Sequence, residues 1–229
     1  MIEVPSPTTV RDYFALNNDS CWRYRFTRSN ATLFSRVDIT GPNDTSIAGS
    51  TVYVRKFLLE SGGLPIEWFL DTESDGAVRL LRSTAGRDRD SRETRRFEGM
   101  MPPLFAQLEF DFTGELKFEG SFQTDVVPVL CTGADQTCGD GVNERHSWNV
   151  LGQEMVNTPD GDQMAVKLNY TITTDASSQT AQYFLVPNRG IAKFTDFDGT
   201  FYQVCDWRVC DSNSSCVGAT SCNELTCLP

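Results

Sequence analysis

The sequence predicts an all-β fold: an antiparallel meander forming a curved sheet or open barrel, or a two-layer sandwich, with a Cys-rich C-terminal tail. Three observations lead there. From Asp12 onward, short apolar runs alternate with turn chemistry roughly every eight to twelve residues, the rhythm of antiparallel all-β domains. Within several runs apolar and polar residues alternate, which puts one strand face on a core and the other in water. No long window places apolar residues at the 3.6-residue spacing of a helix.

Residues 1–11 form an extended lead-in, because Pro5 and Pro7 disfavour a helix. The β domain covers 12–204 and the tail 205–229, with at most a helical turn near Val10–Ala15 or Leu104–Leu108. In the first strand Trp22, Tyr24 and Phe26 alternate with Arg23 and Arg25, giving one aromatic and one cationic face. Thr51–Leu59 and Ile66–Leu70 are further strands. Asp75-Gly76, Asp160-Gly161 and Asp198-Gly199 each lie between apolar runs, and glycine supplies the positive φ of a hairpin turn without steric cost. Leu108, Phe110 and Phe112 alternate with Glu109 and Asp111 before a turn at Thr113-Gly114. Turns this short make successive strands antiparallel neighbours. The chain is long enough for roughly ten to twelve strands of ordinary length.

Composition excludes several functions. Lys and Arg number 20 against 31 Asp and Glu, a net charge of −11 over 229 residues. Such a chain lacks the clustered positive charge that phosphate backbones require, so no nucleic-acid partner is expected. Hydrophobic residues at 39% and 15 Phe supply a core. A single His cannot build a multi-histidine metal site, and no cofactor is expected.

The cysteines fix the compartment. Cys21, Cys131, Cys138, Cys205, Cys210, Cys216, Cys222 and Cys227 make an even set that reads as up to four bridges in an oxidising environment. Their pairing is open, with Cys131 to Cys138 favoured because they bracket a short loop. Metal knuckles would show C-x-x-C spacing, and none occurs. Export to the periplasm, the outer-membrane surface or the exterior is therefore expected. The start lacks a basic segment followed by an apolar one, so Met1 is read as standing in for a removed signal, with a lipid anchor as one form of it. No run approaches the ~20 apolar residues of a spanning helix. Sequons stand at Asn18, Asn30, Asn43, Asn169 and Asn213.

Three ordered segments carry a resemblance. Asp12-Tyr-Phe-Ala-Leu-Asn-Asn-Asp-Ser-Cys-Trp-Arg-Tyr resembles the opening of bacterial exported lipoprotein domains of unknown function. Val150-Leu-Gly-Gln-Glu-Met-Val-Asn-Thr-Pro-Asp-Gly is similar to their strand–turn–strand. Gln182-Tyr-Phe-Leu-Val-Pro-Asn-Arg-Gly-Ile-Ala-Lys-Phe is similar to a segment near their ends. Asp19-Ser20 replaces the usual Gly-Asn, and Asn188-Arg189 departs from the last motif. The resemblance extends to LolA-like lipoprotein carriers. It implies a curved antiparallel sheet around an apolar concavity and an envelope location, and it assigns no catalytic residue.

Candidate chemistry is sparse. His146 is the one imidazole base, with no G-x-S-x-G elbow beside it, and reads as a loop or strand-end histidine. Paired cysteines leave no thiol nucleophile. Asp71, Glu73 and Asp75 match the opening of a calcium loop, with Gly76 at its sixth position. The twelfth position is Arg82 rather than Glu, so a hairpin turn is preferred to a calcium site. Gly86–Gly99 holds five Arg and four acids, which reads as a solvated hairpin tip or a charged edge strand rather than an anion patch.

A non-enzymatic envelope domain is the expectation, binding an apolar ligand such as a lipid, or a protein partner. Trp22, Tyr24, Phe26 and Trp68 would line its concavity, or else fill a closed core. The alternative is an assembly subunit whose N-terminal segment adds as a strand to a neighbour. A carbohydrate-binding or carbohydrate-active sandwich is the third reading.

Overall fold

The alternation of β1 (Cys21–Arg28) sends Trp22, Tyr24 and Phe26 into the core at 3%, 1% and 5% exposure, while Arg25 stays in water. The computed structural model describes residues 13–47, 50–72, 78–86, 88–97, 103–104, 121–211 and 215–227. Each buried ring contributes roughly 2–3 kcal/mol of transfer free energy. Ser29 and Asn30 both have positive φ, 50° and 62°, so the two-residue turn into β2 (Ala31–Ile47) follows the natural strand twist. The meander continues through β3 (Ser50–Leu59), β4 (Ile66–Thr72), β5 (Val78–Ala85) and β6 (Glu93–Arg96). A two-residue strand, β7 (Pro103–Leu104), pairs with β5. The second half runs through β8 (Ser121–Val126), β9 (Val129–Thr132), β10 (Thr137–Asp140), β11 (Glu144–Thr158) and β12 (Gly161–Thr173). It ends with β13 (Ser178–Val186), β14 (Gly190–Thr195), β15 (Phe201–Cys210) and β16 (Cys216–Gly218).

All the pairings are antiparallel, and among the described residues they form one sheet. Its order is β10-β9-β6-β5-β4-β3-β2-β1-β15-β14-β13-β12-β11-β8, with β16 on β15. Two meanders are thus joined at the centre by β1 and β15, where Trp22 faces Trp207 and Phe26 faces Tyr202. The fold is all-β, with one large open sheet.

The order of strands forces curvature. Laid flat, twelve interstrand intervals of ~4.8 Å would hold β9 about 58 Å from β8. Only Val127 and Pro128 separate the two strands in the chain, and a link of that length spans at most about 11 Å. The sheet therefore curls until its two margins adjoin, and the β8–β9 segment passes from one margin to the other. The inner face of this curl carries one contiguous core from both meanders, including Tyr53, Phe57, Trp148, Tyr170, Tyr183, Phe194 and Trp207.

β6 lies between β5 and β9, so it is not an edge strand. The described residues of the charged segment Gly86–Gly99 split by face. Arg92 reaches Glu67 at 3.0 Å, whereas Arg95 turns towards the seam and Phe97 is 1% exposed. Alternation places Glu93, Arg95 and Phe97 on one face, which the charge count alone conceals.

Four disulfides join Cys21 to Cys222, Cys131 to Cys138, Cys205 to Cys227 and Cys210 to Cys216, and no cysteine is free. Cys131 and Cys138 are direct partners across β9 and β10. Residues 205–210 are the second half of β15, so the cysteine-rich stretch starts inside the sheet and folds back over it as β16 and a turn at Cys222–Glu224. Gly218 has φ +91°, and a Cβ there would collide with the Trp207 carbonyl. Among the described residues, no helix is long and apolar enough to cross a membrane.

Candidate functional site

Cross-strand register draws a polar row across the inner face. Ile39 pairs with Arg55, Arg55 with Trp68, Trp68 with Ser83, and Ser83 with Arg95. Directly opposed residues share a face, so Arg55 and Arg95 point inward at one level, about 14 Å apart over three strand spacings.

At the seam the row meets β11. Arg95 Nη1 donates to Glu144 Oε1 at 2.9 Å and its Nε donates to Glu93 Oε1 at 2.8 Å. Glu144 Oε2 lies 2.9 Å from His146 Nε2, and His146 Nδ1 lies 2.5 Å from the Tyr170 hydroxyl. A carboxylate oxygen accepts, so His146 Nε2–H donates to Glu144 while Nδ1 pairs with the Tyr170 hydroxyl. Glu144 and His146 are each 3% exposed. The Phe97 ring meets His146 edge-on with centroids 5.8 Å apart. Burial alone would lower the Arg95 guanidinium, but Glu93 and Glu144 more than offset it and hold it above its ordinary value. Burial drives the Tyr170 hydroxyl well above its usual range, with Tyr183 and Glu144 adding to the effect. Both ring nitrogens of His146 are thus engaged within a chain of hydrogen bonds whose Glu144–His146–Tyr170 part is buried. The geometry is that of a clasp between the two margins of the sheet.

The second inward cation is Arg55, 8% exposed. Its guanidinium carbon lies 5.0 Å from the Trp68 ring centroid, and the Tyr24 hydroxyl is near enough to act on its charge. Tyr24 in turn donates to the Ile191 carbonyl at 2.6 Å. Burial lowers the Arg55 guanidinium below its ordinary value, and the neighbouring Tyr24, Tyr183 and Asp196 only partly restore it. Burial likewise raises the hydroxyls of Tyr24 and Tyr183. Asp196, itself raised by burial, accepts the Phe197 amide at 2.7 Å. Around these groups, Phe194 stacks on Tyr202 at 4.4 Å and on Tyr183 at 5.9 Å between centroids.

The aromatic residues singled out in the sequence lie on this inner face. Trp22 donates from Nε1 to the Arg189 carbonyl at 2.7 Å, Phe26 packs on Tyr202 at 4.8 Å, and Trp68 is half-buried over Arg55. Gly190 permits the first contact: a Cβ there would stand 2.9 Å from the Trp22 ring. Asp71 pairs with Arg79 across β4 and β5, while Glu73 and Asp75 lie outside the described residues. Among the described residues the single cluster with metal-ligand spacing is Cys21, Asp38 and Cys222, whose two sulfurs are bonded to each other. The N-terminal segment 1–11 also lies outside the described residues.

Arg55, Arg95 and Glu144 are absent from the sequence-level candidates. A period-two reading would have shown them. Tyr53, Arg55 and Phe57 alternate on one strand, and Glu144, His146 and Trp148 on another.

No protein-family model matches the chain, and no curated protein sequence matches it. Among solved structures, the chain is similar to the hypothetical lipoprotein YmcC from Escherichia coli K12, at 9% identity and a TM-score of 0.41, over 86% of this chain and 88% of that one. It is also similar to a protein of Bacteroides fragilis described as exported and with a YmcC-like fold, at 12% identity and a TM-score of 0.38, over 83% and 96%.

Proposed function

We propose that this is a non-enzymatic, extracytoplasmic binding domain that takes the apolar part of a ligand against the aromatic inner face of its curled sheet. The observation that carries the reading is the inner face of the curl, a contiguous set of rings that includes Phe57, Tyr183, Phe194 and Tyr202. The β8–β9 segment closes the curl, pairing with β11 through β8 and with β6 through β9, and the Arg95–Glu144 ion pair and the Phe97–His146 ring contact add to that closure from the inside. Four disulfides fit an oxidising compartment. The absence of a free thiol and the full engagement of His146 favour binding over covalent or acid–base catalysis.

Native mass spectrometry of protein recovered from its own host, compared with denaturing spectra, tests this. The expected result is a lipid-sized adduct released on denaturation. Repeated recovery of bare protein, together with no saturable response to any amphiphile, would overturn it.

A further inference from the structure

A buried guanidinium ordinarily faces a carboxylate, since an uncompensated charge in an apolar interior is costly. Arg55 does not. None of the ion pairs among the described residues includes it, and Asp196 acts on it only at longer range. Its partners are one hydroxyl and one ring face, Tyr24 and Trp68. Five N–H donors in a planar fork match two oxygens of an oxyanion, and a single hydroxyl leaves most of them unused. Tyr24 donates its own proton to Ile191, so its oxygen presents a lone pair to the nearby Arg55 without neutralising it. Trp68 is half-buried and directly opposite Arg55 on the neighbouring strand, so the ring that meets the guanidinium also reaches solvent.

We propose that Arg55, oriented by Tyr24 and capped by Trp68, receives the oxyanion head of an amphiphile whose apolar chain lies along the aromatic inner face. The inference rests on the binding reading above and gives it a polar anchor. Displacing the Trp68 ring exchanges a cation–π contact for a charge-assisted bidentate pair in a poorly solvated site, where such pairs are strongest. The anchor selects for a negative head, and the rings Phe57, Phe194 and Tyr202 beside it select for a chain. Carboxylate and phosphate heads share this chemistry.

The test is a titration of the full chain, disulfides intact, followed by tryptophan fluorescence and calorimetry. The probes are dodecanoate below its micellar concentration, dodecyl phosphate, uncharged methyl dodecanoate, and the tail-less anions acetate and inorganic phosphate. We expect one or both charged amphiphiles to bind at least tenfold more tightly than the methyl ester. Arg55→Met should remove that preference while leaving methyl dodecanoate within about twofold. Tyr24→Phe, which deletes only a hydroxyl, should weaken the charged probe threefold or more and serves if Arg55→Met does not fold. Whichever charged probe binds better identifies the head. Equal binding of charged and uncharged probes, unchanged by either substitution, would overturn the anchor and leave the apolar-binding reading standing. Binding of acetate or phosphate as tight as that of the amphiphiles would overturn the amphiphile assignment. No binding of any chain-bearing probe would overturn both.

Discussion

Substituting Gln for Glu144 probes the clasp between the two margins of the sheet. The change preserves shape and removes one charge. Arg95 keeps Glu93 at 2.8 Å but loses its buried partner at 2.9 Å, and the His146 Nε2–H then faces an amide rather than a carboxylate. Breaking a fully buried pair costs about 3–5 kcal/mol. The Arg95 side chain is 37% exposed against 4% for Glu144, so water softens the loss. The expected destabilisation is about 2 kcal/mol. Arg95→Met should cost a similar amount because it strands the buried carboxylate. The double variant should cost less than the sum, with a coupling of about 1–2 kcal/mol. Urea unfolding with disulfides intact, read by tryptophan fluorescence, measures all four corners of the cycle; guanidinium would screen the pair. Hydrogen exchange adds location: amides of β6, β8, β9 and β11 should exchange faster in E144Q while those of β1 and β15 hold. A cost below about 0.5 kcal/mol, or strict additivity with Arg95→Met, would refute the view that charge holds the seam.

The remaining expectations concern protons and bridges. Burial raises the Asp196 carboxyl above its ordinary value, so the folded protein binds its proton more tightly than the unfolded chain does. Stability from this group is full in acid and falls as pH rises from there through the raised value; Asp196→Asn should flatten that fall and leave the protein more stable at pH 7. Tyr24, Tyr170 and Tyr183 are held above the usual tyrosine range by burial, and Tyr202 is pushed up to about 12. Absorbance at alkaline pH should therefore show these hydroxyls ionising together with unfolding, as stability drops above pH 10; smooth ionisation of all six tyrosines in folded protein would contradict the burial. Loop-closure entropy scales with the logarithm of the bridged span. Replacing Cys21 and Cys222 by Ser, with a separation of 201, should cost about 5 kcal/mol against about 2.5 for Cys131 and Cys138, with a separation of 7, in paired urea curves.

Fold class was legible because alternation and turn chemistry are local. Trp22, Tyr24 and Phe26 against Arg23 and Arg25 describe β1 completely, and the Asp160-Gly161 and Asp198-Gly199 turns lie at the hairpins β11–β12 and β14–β15. The union of β1 with β15 has no local signature, since it joins residues roughly 180 positions apart through side chains that would suit any neighbour. The clasp was hidden for the same reason. His146 looks isolated in sequence, and its partners arrive from β6 and β12, with Glu144 two residues away on the same face. Arg95 sat in a segment whose nearly balanced charge suggested a solvated tip, yet period-two geometry turns alternate residues inward whatever the net charge. Arg55 was masked by the adjacent Lys56, which makes the pair look like an ordinary cationic surface.

The central pairing of β1 with β15 sets the order in which the molecule can be finished. A chain delivered N-terminal end first can zip β1 to β6 as it arrives, each hairpin by local contacts. The outer flank of β1 then stays bare until β15 emerges, roughly 180 residues later, and the Cys21–Cys222 bridge must wait with it. Contacts of such separation are slow to form and leave an unpaired strand edge exposed meanwhile. The C-terminal fifty residues thus act as the keystone of the sheet, and truncations there should leave two competent half-meanders with sticky inner flanks rather than a smaller version of the same protein.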